Sequence, residues 1–509
     1  MGREKGQALV LFALFIIVLL GFIGLAIDVG RIYVAIGTLR RAVDAASLGA
    51  ASQFREGRDI NEMTAMATQI MNMNGVSPAS IVVEDCKHAV ISGDPLLCVT
   101  PRRKYVRVTA SANVPMTFLR VININQISIS SNAVGEAASL DVVLVIDISE
   151  SMAQYQTATT SPVHNVGDQF DPSVCNADDS CQPFEKVRAA ANDFVDRILD
   201  HPGDPSEESD RLSIVYFSNG WQTDSTKFPY GNNHGATDLV SPGWMNDPAT
   251  AHTAVNNLKV FQPPACDSDG INPTSGTCLL YNAGVFQGIE CPRYRNTDPN
   301  DPSSCTTTNS GGALTLAGNL LGDPNQQRTD ALWVVIFLSD GAANASNATT
   351  GHTYGYCPDT DWGSPFCRDL SAISRHDGGT DPLHYDADDY ARDSADFVGC
   401  PNNNQYIYEY CDTAHLPSGG QGAVIFTIGL GNQVTKNYTG GDRPAGVALL
   451  RYIANIGSGS DPATDPCKVY DDVADWQSHC GNYYYDATGN KLIPVFEDIA
   501  SRIFTRISR

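Results

Sequence analysis

The chain has 509 residues, 42% of them apolar, and a formal net charge of −24. The apolar share is enough for a packed core and excludes a globally disordered chain. So acidic a protein repels phosphate backbones, and no basic run with interleaved aromatics offsets this, so nucleic acid is not an expected partner.

The chain opens with a short tail, 1–7, that carries Arg3 and Lys5. From Ala8 to Ile27 it reads ALVLFALFIIVLLGFIGLAI, twenty residues without a charge, closed by Asp28. As a helix this run spans about 30 Å, the hydrocarbon thickness of a bilayer. It is longer than the apolar core of about 7–15 residues in a cleaved signal peptide, and no small-residue cleavage site follows. Residues 8–27 are therefore read as an uncleaved transmembrane anchor. Arg31, Arg40 and Arg41 on its far side leave the charge rule indecisive. The cysteines decide the orientation. There are 14, an even number, dispersed and without a CxxC, which implies disulfides and an oxidising compartment. The bulk of the chain is expected outside the cytoplasm.

Residues 28–55 continue as an amphipathic, Ala-rich helix. Ile32, Ile36, Leu39, Val43, Ala46 and Ala50 form a heptad-like stripe, expected to pack on its own domain. Residues 56–137 are read as a small α+β domain. NEMTAMATQIMNMNG is helical in character and stops at Gly75. In YVRVTASANVP, the residues Val106, Val108, Ala110, Ala112 and Val114 share one strand face, and Pro115 ends it. QISISS (126–131) is a further strand. Cys86 and Cys98 lie between the helix and these strands and are expected to pair.

From 138 to 509 solid apolar runs appear, each followed by a polar turn: VVLVID (142–147), RLSIVYFS (211–218), LWVVIFLSDG (332–341) and AVIFTIGLG (423–431). Such runs suit strands buried on both faces of a mostly parallel sheet. Helical stretches at 183–199, 311–322, 447–457 and 491–507 alternate with them, which predicts a doubly wound, Rossmann-like α/β domain. Long insertions rich in Asp, Asn, Pro, Gly and Ser interrupt it at 152–182, 262–307 and 342–421. They hold two, four and four cysteines, and 458–481 holds two more. Even counts suggest that each segment is stapled to itself, through Cys175–Cys181 and Cys467–Cys480 where only two are present. Each bridge contributes about 2–4 kcal/mol. The pairing inside the four-cysteine insertions stays open.

In an open α/β sheet, ligands bind beyond the carboxyl ends of the strands. The first strand ends in Asp147-Ile148-Ser149-Glu150-Ser151, the 332–338 strand ends in Leu338-Ser339-Asp340-Gly341, and Thr308 stands before the helix at 311. Two carboxylates, Asp147 and Asp340, and three hydroxyls, Ser149, Ser151 and Thr308, can converge there. An oxygen-only set of this charge suits a hard divalent cation, Mg²⁺ first, with Mn²⁺ or Ca²⁺ possible. Helix capping without metal is the competing use of these residues. Asp clusters at 267–270 and 377–390 could attract Ca²⁺, but none has EF-hand spacing.

DISES resembles the DxSxS signature of von Willebrand factor A (VWA) domains, T-N-S-G-G-A-L from Thr308 resembles their threonine motif, and the SDG turn resembles their last aspartate. The resemblance implies a metal-ion-dependent adhesion site (MIDAS). There Ser149, Ser151 and Thr308 bind the cation directly, Asp147 and Asp340 bind through water, and a carboxylate of a protein partner completes the shell. The segment 138–509 is longer than such a domain, and its insertions begin beside the motifs. KGQALVLFALFIIVLLGFIGLAIDVGRIYV with the following Ala-rich helix, about 6–52, resembles the N-terminal segment of TadG-like proteins of Flp (tight-adherence) pilus assembly, as does RVTASANVPMTFLRV. Together these imply a non-catalytic, single-pass protein of a bacterial cytoplasmic (inner) membrane that acts in pilus assembly or anchoring, with pilus components as partners. A free-standing metal-dependent surface adhesin is the alternative. A metal-dependent phosphohydrolase is more remote, because Ser149 stands where the haloacid dehalogenase type needs a second Asp. No P-loop, HExxH or GxSxG occurs either.

Overall fold

The computed structural model describes residues 5–53, 60–98, 103–137, 139–153, 171–199, 210–218, 237–262, 265–266, 278–290, 308–347, 368–369, 371–401, 409–412, 414–437, 441–458, 466–467 and 479–507. The chain divides into two compact units, one built on Met1–Ser139 and the other on Leu140–Pro202 and Ser209–Ile503.

The first unit contains α1 (Lys5–Ala51), α2 (Ile60–Met73), β1 (Ser80–Glu84), β2 (Lys104–Pro115) and β3 (Gln126–Ala137). α1 is one continuous helix of 47 residues, about 70 Å long at 1.5 Å per residue. Its two halves differ in their surroundings. From Leu9 to Ile27 its large apolar side chains are exposed, and by length and composition α1 is apolar enough to cross a membrane. In the second half Leu39, Ala42, Val43, Ala46 and Ala50 are buried, with Ile32 and Ile36 packed at the margin. They meet Met63, Ala67 and Met71, spaced four apart on α2, and Val106, Val108 and Ala110 on one face of β2. The heptad-like stripe is thus packed within its own unit, and the second half of α1 shares one core with α2, β1, β2 and β3. Small residues permit the close approach. A Cβ on Gly135 of β3 would lie 2.4 Å from the Ser47 carbonyl oxygen, so only glycine fits that crossing. β2 pairs antiparallel with β1 and with β3, in register Ser80↔Ser111 and Lys104↔Ala137. Cys86 is bonded to Cys98.

The second unit contains, in chain order, β4 (Leu140–Asp147), α3 (Pro172–Cys175), α4 (Phe184–Ile198), β5 (Arg211–Phe217), β6 (Asp238–Leu239), α5 (Pro248–Asn256), β7 (Cys278–Asn282), β8 (Val285–Glu290), α6 (Ser310–Leu321), β9 (Leu332–Ser339), α7 (Ala387–Gly399), β10 (Val424–Leu430), α8 (Gly431–Val434), α9 (Ala445–Ser458), β11 (Tyr483–Asp486) and α10 (Leu492–Ile507). The sheet order is β11-β10-β9-β4-β5-β6, parallel except for the edge strand β6. This is a doubly wound sheet whose order reverses between β4 and β9. Alternation along the central strands feeds both faces. Val143 and Val145 of β4 and Val335 and Phe337 of β9 pack with Ala313, Leu314 and Ala317 of α6 and with α7 and α9. Val142, Leu144 and Ile146 point the other way, the side of α4 and α10, whose Phe194 and Phe496 rings lie 5.2 Å apart.

The four apolar runs form the four central strands, and the four expected helices form α4, α6, α9 and α10. The stretch 342–421 differs from its reading as an insertion, because Ala387–Gly399 within it form α7, a covering helix of the sheet. ADDYARDSADFVG looks polar, yet Ala387, Ala391, Ala395 and Val398 lie on one face and are buried, and Asp386 caps it by accepting from the N–H groups of Asp388 and Asp389. The stretch 262–307 contains the β7–β8 hairpin. Cys175–Cys181, Cys400–Cys411 and Cys467–Cys480 are bonded, which pairs two of the four cysteines in 342–421 with each other. Cys357, Cys367, Cys291 and Cys305 lie outside the described residues.

Candidate metal site

β4 and β9 are the strands that flank the reversal of sheet order, so the crevice at their carboxyl ends has no crossover closing it. Asp147 is the last residue of β4, and Asp340 follows the last residue of β9. Both are fully buried. The backbone beyond Asp147 turns at once, and the Asp147 carboxylate accepts the Ser149 N–H at 2.9 Å. Ser149 Oγ and Ser151 Oγ are 2.9 Å apart, and Ser151 Oγ donates to Asp340 Oδ1 at 2.8 Å. The two-residue spacing of the serines therefore builds a bridge of hydroxyls from one strand end to the other.

Thr308 reaches the same edge through its backbone. Its N–H donates to Asn344 Oδ1 at 2.9 Å, and its carbonyl accepts from Asn344 N at 3.1 Å. The next residue, Asn309, donates its N–H to the carbonyl of Ser218, just past β5, at 2.9 Å. Asn309 then caps α6, accepting from Gly312 N at 2.9 Å. The structure thus links Asp147, Ser149, Ser151 and Asp340 by hydrogen bonds and seats Thr308 between β5 and the segment after β9. Sequence reasoning missed two supporting residues. Ser339 Oγ donates to Asp147 Oδ2 at 2.7 Å, and its signal was the Ser that precedes Asp340. Asn344 had no signal, because its role depends on a partner 36 residues away.

Among the described residues the Asp147 carboxylate meets neutral donors: Ser149, Ser339 and the Asp340 backbone. Burial therefore pushes its pKa up to about 6, against the lowering effect of those hydrogen bonds. A buried carboxylate without a cation is costly, and a divalent ion would relieve it. The donors present, two carboxylates and three hydroxyls, are hard oxygens and fit Mg²⁺, Mn²⁺ or Ca²⁺ in their chemistry. Among the described residues, no group of three or more His, Cys, Asp or Glu side chains is placed to hold a metal. This constellation, with two carboxylates, is of another composition.

The aspartates at 377–390 are engaged by the protein itself. Asp377 accepts from Gly379 N and Thr380 N, Asp388 pairs with Arg392, and Asp389 accepts from the backbone N–H of His376. The cluster at 267–270 lies outside the described residues.

Residues 6–53 match the family described as putative Flp pilus-assembly TadE/G-like. No curated protein matches the chain. Among solved structures, the vWF domain of the type V pili tip protein Mfa5 from Porphyromonas gingivalis is similar at 15% identity and a TM-score of 0.33, covering 73% of this chain and 97% of that one. The pilus adhesin SpaC from Lactobacillus rhamnosus GG is similar at 11% identity and a TM-score of 0.32, covering 79% of this chain and 32% of that one. The PilB minor pilin from Streptococcus sanguinis is similar at 12% identity and a TM-score of 0.34, covering 79% and 75%.

Proposed function

We propose that this chain is a membrane-anchored, non-catalytic binding protein of bacterial pilus assembly or anchoring, which takes up a carboxylate of a protein partner through a divalent cation at the β4/β9 edge. The observation that carries the reading is Asp147, buried at the switch point among neutral donors and joined by serine hydroxyls to Asp340. Asp147, Ser149, Ser151, Thr308 and Asp340 would hold the cation. A cation there supplies electrophilic binding of an outside carboxylate oxygen. Ser339 and Asn344 hold the aspartate and the threonine in place. The family match at 6–53 supports the pilus setting, α1 supports the anchor, and the bonded cysteines support an extracytoplasmic bulk. No imidazole, thiol or amine belongs to the constellation, which favours binding over turnover.

The test is calorimetric titration of the chelator-treated full chain in detergent with Mg²⁺ and with Mn²⁺, beside Asp147→Ala. Saturable binding in the wild type and its loss in the variant are expected. A wild type that binds neither ion sinks the reading. A pull-down in Mg²⁺ against EDTA then identifies the partner as the protein retained only with metal.

A further inference from the structure

The β2–β3 connection, residues 116–125, bends back onto α1 at the end of its apolar run. Asp28 is buried there and its carboxylate accepts three successive N–H groups, Thr117 at 2.8 Å, Phe118 at 2.8 Å and Leu119 at 2.7 Å. Arg31, one turn on, donates to the Thr117 hydroxyl. The Phe118 ring lies directly on Gly24, where a Cβ would come within 2.7 Å of it. Gly24 sits inside the uncharged run, four residues before Asp28, which places Phe118 about 6 Å to the membrane side of that carboxylate. A single helical turn, Leu119–Ile122, follows, and Asn123 at φ 67 reverses the chain into β3.

The tip is apolar and uncovered. Phe118 is 44% exposed, Val121 88%, Ile122 66% and Ile124 40%. Apolar side chains left in water gain by transfer to an apolar medium. The tip continues the exposed apolar surface of α1 from Leu9 to Ile27, so whatever solvates that helix also reaches the tip. Arg120, in the same turn, is exposed and long enough to keep its charge at the headgroups while its stem stays among apolar groups.

We propose that the Phe118–Ile124 tip is a second membrane contact, inserted into the interfacial layer of the bilayer that α1 spans. The inference rests on α1 being the membrane anchor. Helix and tip, locked by Asp28 and Arg31, then engage the lipid at two points and fix the tilt of the first unit on the membrane. A lone helix would leave that tilt free.

The test uses the full chain in vesicles of phosphatidylethanolamine and phosphatidylglycerol, with its native disulfides kept oxidised. Single added cysteines, Val121→Cys, Leu14→Cys and Val134→Cys, carry an environment-sensitive fluorophore. Val134 precedes Gly135, which packs on Ser47 far along α1, and serves as the water-facing control. Lipids with a nitroxide near the headgroup are expected to quench the label at 121. Deep nitroxides are expected to quench at 14, and neither to quench at 134. Quenching at 14 without quenching at 121 overturns the tip contact and leaves the anchor standing. No quenching at either overturns both. A blue-shifted label at 121 that lipid nitroxides do not quench assigns the tip to another protein surface and also overturns the proposal.

Discussion

One strand, β4, ends in a buried aspartate at both edges of the sheet, and the two ends are served in opposite ways. Asp141, next to the first residue, accepts from Arg211 Nε at 2.7 Å and Nη2 at 2.9 Å and from Arg328 Nε at 3.0 Å. Arg211 also stacks 4.2 Å from the Trp244 ring. Asp147, six residues on, is as deeply buried but faces hydroxyls and backbone N–H groups. Sheet burial makes the same demand on both carboxylates. The amino-edge aspartate has its cations supplied by the chain and is sealed. Among the described residues the carboxyl-edge aspartate has none, which is the condition the proposed cation site needs.

The largest effect is expected at the sealed end. Asp141→Ala leaves two guanidinium groups, only 15–17% exposed at their side chains, with neutral carbonyl acceptors in place of their carboxylate, and should cost about 3–5 kcal/mol in urea unfolding of the second unit. The contrast sharpens if Asp147→Asn, measured without metal, is neutral or stabilising, since it removes an uncompensated buried charge and keeps an acceptor for the Ser149 N–H. Equal losses at both ends would break it.

The second effect runs through mass action. Mg²⁺ at about 100 times its Kd should stabilise the wild type by about 2.7 kcal/mol. The same addition should do nothing for Asp147→Asn and little for Ser149→Ala. Stabilisation that survives in Asp147→Asn would locate the ion elsewhere.

The sequence exposes the open end far better than the sealed one. The ligand candidates cluster in short motifs at strand ends, and strands buried on both faces write themselves as unbroken apolar runs. Arg328 reaches Asp141 across 187 positions, and no local pattern announces such a pair. β11 escaped because YYYD is aromatic and polar, although Tyr483 is buried in the core. α7 escaped because the face it gives to the core is mostly alanine and the aspartates beside it, Asp388, Asp389 and Asp396, read as polar although they are buried. Asp28 reads as the end of an apolar helix, and only the fold shows that its carboxylate holds a loop 89–91 residues away.

Between the two ends of β4 lies an intermediate case, and it gives the smallest effect. Asp396 on α7 is buried and shares one guanidinium, that of Arg375, with the half-exposed Asp393. Tyr452 also donates to it at 2.7 Å. Burial outweighs that half-share of a cation and raises its pKa to about 6. The folded chain then holds a proton that the unfolded chain releases near pH 4. In that interval the native state binds more protons, so stability falls as pH rises from about 4 to 6, and the loss is complete above the folded value. For a shift of this size the drop is about 2–3 kcal/mol. Asp396→Asn keeps the acceptor for Tyr452 and cannot titrate. Its urea stability should therefore decline less than that of the wild type across the same window, by that amount. Parallel pH profiles for the two proteins would mean that half a guanidinium serves Asp396 as fully as two serve Asp141, and cation supply would no longer separate the sealed carboxylates from the open one.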